Sequence, residues 1–304
     1  MAKRGGKHAI EAELAALNDL RFGVADESAK EQLRTALRHK SNHVAAKAAS
    51  VACELALSSL IPDLVEACAR FFEGPVETDP KCAAKIAILT ALRDLGHQDP
   101  DLYVGGLTHV QMEPSFGRPE DSAVPLRAVS AQALVTSFLD GGEILRHLTD
   151  RLADAAPPGR AEAARAIANL GHPAGVYVKR LKVLIGDDEP AVVGECLCGL
   201  LSLGTPFEFA ARFLDEPGMA AEAAAALIDT REPEALKPVI EKFRRSWDPL
   251  EREALLTLIG TSPLPESAEF LYGLATGKEA HTARLAHAAA KRRRRWPEYE
   301  ARLR

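Results

Sequence analysis

The stretch DPKCAAKIAILTALRDLG, residues 79–96, decides the fold. Its alanines and aliphatic side chains recur at helical spacing, an aspartate and a proline precede them, and a glycine follows. Its apolar anchor, Leu92, has counterparts at Leu55, Leu134, Ile167, Leu200, Leu227, Leu258 and Ala289, and successive gaps along the chain are 37, 42, 33, 33, 27, 31 and 31 residues. Such a period holds one helix pair, which cannot bury its apolar face alone, so the register predicts an all-α architecture: a right-handed α-solenoid, or superhelix, of about eight helical hairpins.

The anchors place second helices at about 42–57, 80–95, 122–138, 158–170, 189–203, 218–229, 248–260 and 279–294, with first helices such as IPDLVEACARFF and VYVKRLKVLI before them. Gly74-Pro75, Pro157-Pro158-Gly159, Glu216-Pro217-Gly218 and Ser262-Pro263 mark joints. Residues 1–25 read as an N-terminal arm and capping helix, and 26–304 as the solenoid.

The 304 residues carry a net charge of −5, with 47% hydrophobic and 5% aromatic residues. Small aliphatic side chains suit close-packed helices, and the charge gives no general pull toward nucleic acid or an anionic membrane. MAKRGGKHAIEAEL lacks an apolar signal core, and no run of 18 apolar residues occurs, so a cytoplasmic protein is expected. Five cysteines, Cys53, Cys68, Cys82, Cys196 and Cys198, cannot all pair with one another and read as buried reduced thiols.

Two further columns accompany the anchors. Asp79, Asp121, Asp154 and Asp187 lie thirteen residues before them, suited to capping the second helices, and Lys85, Arg127 and Arg160 lie seven before. The pattern of aspartate, cation and Ala-Ala-x-Ala-Leu resembles the HEAT-repeat family, in the short bacterial form also seen in bilin-lyase-like proteins. The resemblance spans about 28–293, is strongest over 79–204, and fades where Val193, Ala220, Glu251 and Thr282 take the cation column. It implies a helical-repeat fold and no particular activity. The segment HVQMEPSFGRPEDSAVPLR, with 79–96, is similar to bacterial HEAT proteins without an assigned activity.

The long gap before Leu134 comes from extra residues at 111–121, QMEPSFGRPED. Loops of this length in an economical array serve binding or shield the core, and Met112 and Phe116 are expected to bury themselves while His109, Gln111, Glu113 and Arg118 make directional contacts. The row Lys85, Arg127 and Arg160 reads either as an anion-binding groove or as an internal brace, with Arg127 pairing Asp79 or Asp121 for example. The candidate binding surface is therefore the concave side of repeats 2–4, formed by Lys85, His109, Gln111, Glu113, Arg118, Arg127 and Arg160.

Catalytic signatures are absent from the sequence: it has no His-Glu-x-x-His and no Cys-x-x-Cys, and Gly273–Glu279 misses the spacing of a phosphate loop. No histidine is followed by glutamate, which argues against the iron-binding deoxyhypusine hydroxylases of HEAT type. No cofactor or metal is expected. The expected function is a non-catalytic scaffold for a protein partner. The alternative is a nucleic-acid-binding or HEAT-like DNA glycosylase-type protein, resting on Trp247-Asp248 and on Arg292, Arg293, Arg294, Arg295 and Trp296; the basic cluster reads first as a helix cap and second as a phosphate contact. A bilin-lyase-like activity finds few aromatics to support it.

Overall fold

The computed structural model describes residues 2–23 and 26–291. Among them are eighteen α-helices, three short 3-10 turns and two two-residue strands, so the described residues are all-helical in class apart from one small hairpin. It divides into two compact units, residues 1–170 and 171–304, where the sequence reading drew its boundary at 25/26 and none at 170.

The first unit holds α1 (Ala2–Leu20), α2 (Glu27–Leu37), α3 (Asn42–Glu54), α4 (Ile61–Phe72), α5 (Pro75–Thr78), α6 (Ala83–Asp94) and α7 (Asp101–Thr108). The strands β1 (Met112–Glu113) and β2 (Glu120–Asp121) follow, then α8 (Val124–Leu134), α9 (Gly141–Arg151) and α10 (Pro157–Leu170). α3 packs on α1 and α6, α8 on α6 and α10, while α2, α4, α7 and α9 pair with α3, α6, α8 and α10. Ala45, Ala48, Ala49 and Ala52 are fully buried on α3, as small side chains at close helix contacts require.

The second unit holds α11 (Ala174–Ile185), α12 (Pro190–Ser202), α13 (Phe207–Ala211), α14 (Ala220–Asp229), α15 (Pro233–Arg245), α16 (Pro249–Thr261), α17 (Pro265–Ala275) and α18 (Ala280–Lys291). Here α12, α14, α16 and α18 pack in succession, paired with α11, α13, α15 and α17. Prolines open α12, α15, α16 and α17, where a missing N–H costs nothing. Asp26, Asp140 and Asp248 cap their helices by accepting from Ala29, Gly142 and Leu250 N–H.

The anchor register has a local cause. Gly96 and Gly204 take left-handed φ of 82° and 86°, and the next N–H, of His97 and Thr205, returns 2.9 Å to the carbonyls of Leu92 and Leu200. This closure satisfies helix-end carbonyls and holds the anchor against the turn. The first repeat makes the same closure with Leu57 N–H on the Ala52 carbonyl, and Ala56 occupies the left-handed position at φ 52°. The anchor there is Ala52, and Leu55 is the half-buried C-cap, a correction to the expected register. Leu258 is half-buried as well, between buried Leu255 and Ile259. Ala56→Gly should raise stability by about 1 kcal/mol, since an L side chain at this φ is strained; chemical denaturation would measure it.

Candidate functional site

The extra residues of the long gap fold into a hairpin between α7 and α8. β1 and β2 pair antiparallel, Met112 opposite Asp121 and Glu113 opposite Glu120. Two strands this short do not hold themselves, and the base of the hairpin is fixed by side chains. Asp121 Oδ1 accepts from Gln111 N–H and Ala123 N–H, both at 3.0 Å. Ser122 N–H donates to the Gln111 carbonyl at 2.9 Å.

Gln111, 1% exposed, donates through Nε2 to the Asp79 carbonyl at 2.9 Å and to Glu113 Oε1 at 2.6 Å. Glu113 Oε1 also accepts from Lys81 N–H at 2.6 Å and from the Ser122 hydroxyl at 2.5 Å. Hydrogen bonds from Ser122, with those of Gln111 and Lys81, outweigh desolvation and hold the Glu113 carboxyl below its ordinary value. The grip falls on a strained turn: Lys81 and Cys82 both have left-handed φ, 60° and 53°. Asp79 secures its other side by accepting from Ala84 N–H and Lys85 N–H at the start of α6, at 2.8 and 3.0 Å. A strained backbone persists when its surroundings determine it this fully.

The cation column is an internal brace. Lys85 is fully buried, with Nζ 3.1 Å from Asp79 and donating to the Phe71 carbonyl at 3.2 Å. Arg127, 3% exposed, donates from Nε and Nη2 to both Asp154 oxygens at 2.6 and 2.9 Å. Its Nη1 reaches Asp121 at 2.7 Å and the His109 carbonyl at 2.9 Å. The partners are thus Asp121 and Asp154, not Asp79. Arg160, 7% exposed, donates to the Asp154 carbonyl at 3.0 Å. Gly159 lets Asp154 sit there: a Cβ would stand 2.8 Å from its carboxyl carbon.

This corrects the groove expected from Lys85, Arg127 and Arg160. Buried charges need partners: Lys85 and Arg127 find carboxylates inside the fold, and Arg160 is held against backbone carbonyls. His109 is half-buried with its ring edge-on to Phe72 and its Nε2 3.2 Å from Gln111 Oε1. Of the seven expected binding residues only Arg118 is exposed.

The tip reverses another expectation. Phe116 is fully exposed, and Val110 and Met112 are 59% and 52% exposed. The loop therefore does not pack on itself. It presents an apolar tip, with Arg118 two residues from Phe116, on a base fixed by buried polar contacts.

Burial pushes the Cys82 thiol up to about 11, and the thiols of Cys68 and Cys196 up to about 12. Among the described residues no cluster of three or more His, Cys, Asp or Glu stands close enough to hold a metal ion. None of the described helices is long and apolar enough to cross a membrane. Asp248, expected as a partner of Trp247 in base excision, caps α16 instead, and Trp247 is 96% exposed. The cluster Arg292–Arg295 with Trp296 lies outside the described residues.

No family model and no curated protein matches this chain. Among solved structures, the crystal structure of an engineered protein is similar over 85% of this chain and 77% of that one, at 18% identity and a TM-score of 0.34. At that TM-score the likeness carries no argument about fold or function.

Proposed function

We propose that this chain is a non-catalytic scaffold, an α-solenoid of HEAT-like hairpins, that binds a protein partner through the hairpin at 109–121. Within each unit the second helices pack one upon the next, α3 to α6 to α8 to α10 and α12 to α14 to α16 to α18, which supports the repeat reading. The single observation that carries the function is Phe116, fully exposed on a hairpin whose base is immobilised. A pre-organised loop loses little entropy on docking, and aromatic and arginine side chains supply most interface hot spots. Arg127 serves this reading by holding the α7–α8 joint through the His109 carbonyl and Asp121. Five free thiols fit a reducing cytoplasm.

Phe116→Ala with Arg118→Ala is expected to abolish capture of the partner from the source cell, while the melting temperature stays within the shift set by about 0.5 kcal/mol for exposed sites. Capture and thermal unfolding measured together decide it, and retained capture refutes the hairpin as the site.

One observation favours the nucleic-acid alternative. Exposed Trp247 flanks a cavity of about 290 Å³ also lined by Arg252 and His281, an arrangement able to stack a base. Quenching of Trp247 fluorescence by single-stranded DNA at low salt, absent in Arg252→Gln, is what that reading requires.

A further inference from the structure

On α11, Tyr177, Leu181, Leu184 and Ile185 are 74%, 60%, 56% and 70% exposed. Spacings of four, seven and eight residues from Tyr177 place all of them on one helix face. The opposite face, Gly175, Lys179 and Val183, is buried, and α11 packs on α12. Single exposed apolar residues are ordinary, but a contiguous row of four marks a contact surface.

At its C-terminal end the row runs into a cleft of about 420 Å³ lined by Leu184, Ile185, Phe213 and Met219, with Glu216 and the Lys182-paired Asp187 also on its wall. Exposed Arg180 lies beside the row on α11, and exposed Arg212 lines the cleft. Arg180 lies 4.2 Å over the Phe209 ring, and Arg212 lies 5.7 Å from the same ring. Among the described residues neither forms an ion pair with a carboxylate. Lys182, on the other edge of the row, is paired with Asp187 at 2.7 Å.

We propose that this face of α11 docks an amphipathic helix of a partner protein that carries carboxylates along one edge. A row of apolar side chains on a twelve-residue helix offers no free backbone edge to an extended peptide, whereas it matches the anchors of a second helix. Arg180 and Arg212, held by their ring contacts, select acidic residues beside those anchors. The inference is independent of the hairpin reading, since it concerns another unit and other residues.

The test uses the full chain and two synthetic helical peptides of the same twelve-residue length as α11, both with leucines on one face. One carries glutamates along an edge and the other lysines, and anisotropy titrations compare them. The glutamate peptide is expected to bind at least about tenfold more tightly than the lysine peptide. Leu181→Ser is expected to weaken it by about tenfold or more with an unchanged melting temperature. Arg180→Glu with Arg212→Glu is expected to invert the preference. Absence of binding, equal affinities or a failed inversion overturns the proposal. So does retention of the chain on phosphatidylglycerol vesicles that Leu181→Ser abolishes, or self-association that the same variant abolishes. Resistance of Leu181→Cys to maleimide in the native chain would show the face already covered and overturn it too.

Discussion

Replacing Arg127 with methionine is expected to destabilise the first unit by about 3–5 kcal/mol, because it takes the guanidinium from the buried Asp154 carboxylate and from the half-buried Asp121. Asp154 loses both bonds from Nε and Nη2, Asp121 loses one, and the His109 carbonyl at the base of the hairpin loses its donor. Asp154→Asn alone should cost less, since Asp121 still balances the guanidinium. The two changes combined should cost less than their sum, as expected for residues in one network. Urea denaturation of the three variants measures these values, and a loss below about 1 kcal/mol for Arg127→Met would place the pair among ordinary surface contacts. The pH dependence has a defined sign. Burial pushes the Asp121 carboxyl up, but hydrogen bonds from Gln111, Ala123 and Arg127 outweigh it and leave the carboxyl below its ordinary value. A depressed carboxyl stabilises the fold above its unfolded value and ceases to do so as pH falls through its folded one. The contribution should therefore persist at pH 5 and disappear in the acid region below about pH 4.

Lys179→Met is expected to stabilise the second unit by about 2–3 kcal/mol at pH 7. Lys179 is fully buried, and its Nζ has no hydrogen-bond partner among the described residues. Desolvation pushes its ammonium down to about 8. A lysine whose folded value is depressed opposes folding while protonated. The penalty is complete below pH 8 and fades as pH rises toward the unfolded value of about 10.4. At about 1.4 kcal/mol per unit, the drop from an unperturbed lysine amounts to about 3 kcal/mol as an upper bound. The wild-type curve alone would mislead. Buried Cys196, with its thiol raised to about 12, loses stability over the same alkaline range as unfolded thiols ionise. The difference between wild type and Lys179→Met isolates the lysine, and it should shrink toward zero by about pH 10. A constant difference from pH 7 to pH 10 would mean that packing by methionine, not the loss of charge, stabilises the variant.

The helical class and most helix positions were legible in the chain because their signals are local. Proline at Pro190 and Pro249, aspartate at Asp140 and Asp248, and glycine at Gly96 and Gly204 act within one turn of the helices they start or stop. The register failed at Leu55 because Ala56 adopts a conformation its side chain disfavours, and no composition rule expects an alanine there. The length of the insertion at 111–121 was legible too, and the aspartate and cation columns offered a brace as one of two readings.

What side chains do at a distance was decided by tertiary structure alone. Arg127 finds Asp154 across 27 residues, and that pairing turns an apparent groove into a brace. Phe116 faces solvent because Gln111, Glu113 and Asp121 anchor the hairpin by its polar base, leaving its apolar tip nothing of the same loop to pack upon. On α11, VYVKRLKVLI is apolar on more than one side, so periodicity cannot choose which side is buried. Packing on α12 turns Val183 and even Lys179 inward and leaves Tyr177, Leu181, Leu184 and Ile185 outside. Local sequence determined where helices begin and end, since capping and backbone preference act over a few residues. Which face of each helix is buried depends on neighbours distant in the chain, and for Lys179 and Phe116 those neighbours overrode the side chain's own preference for water or for oil.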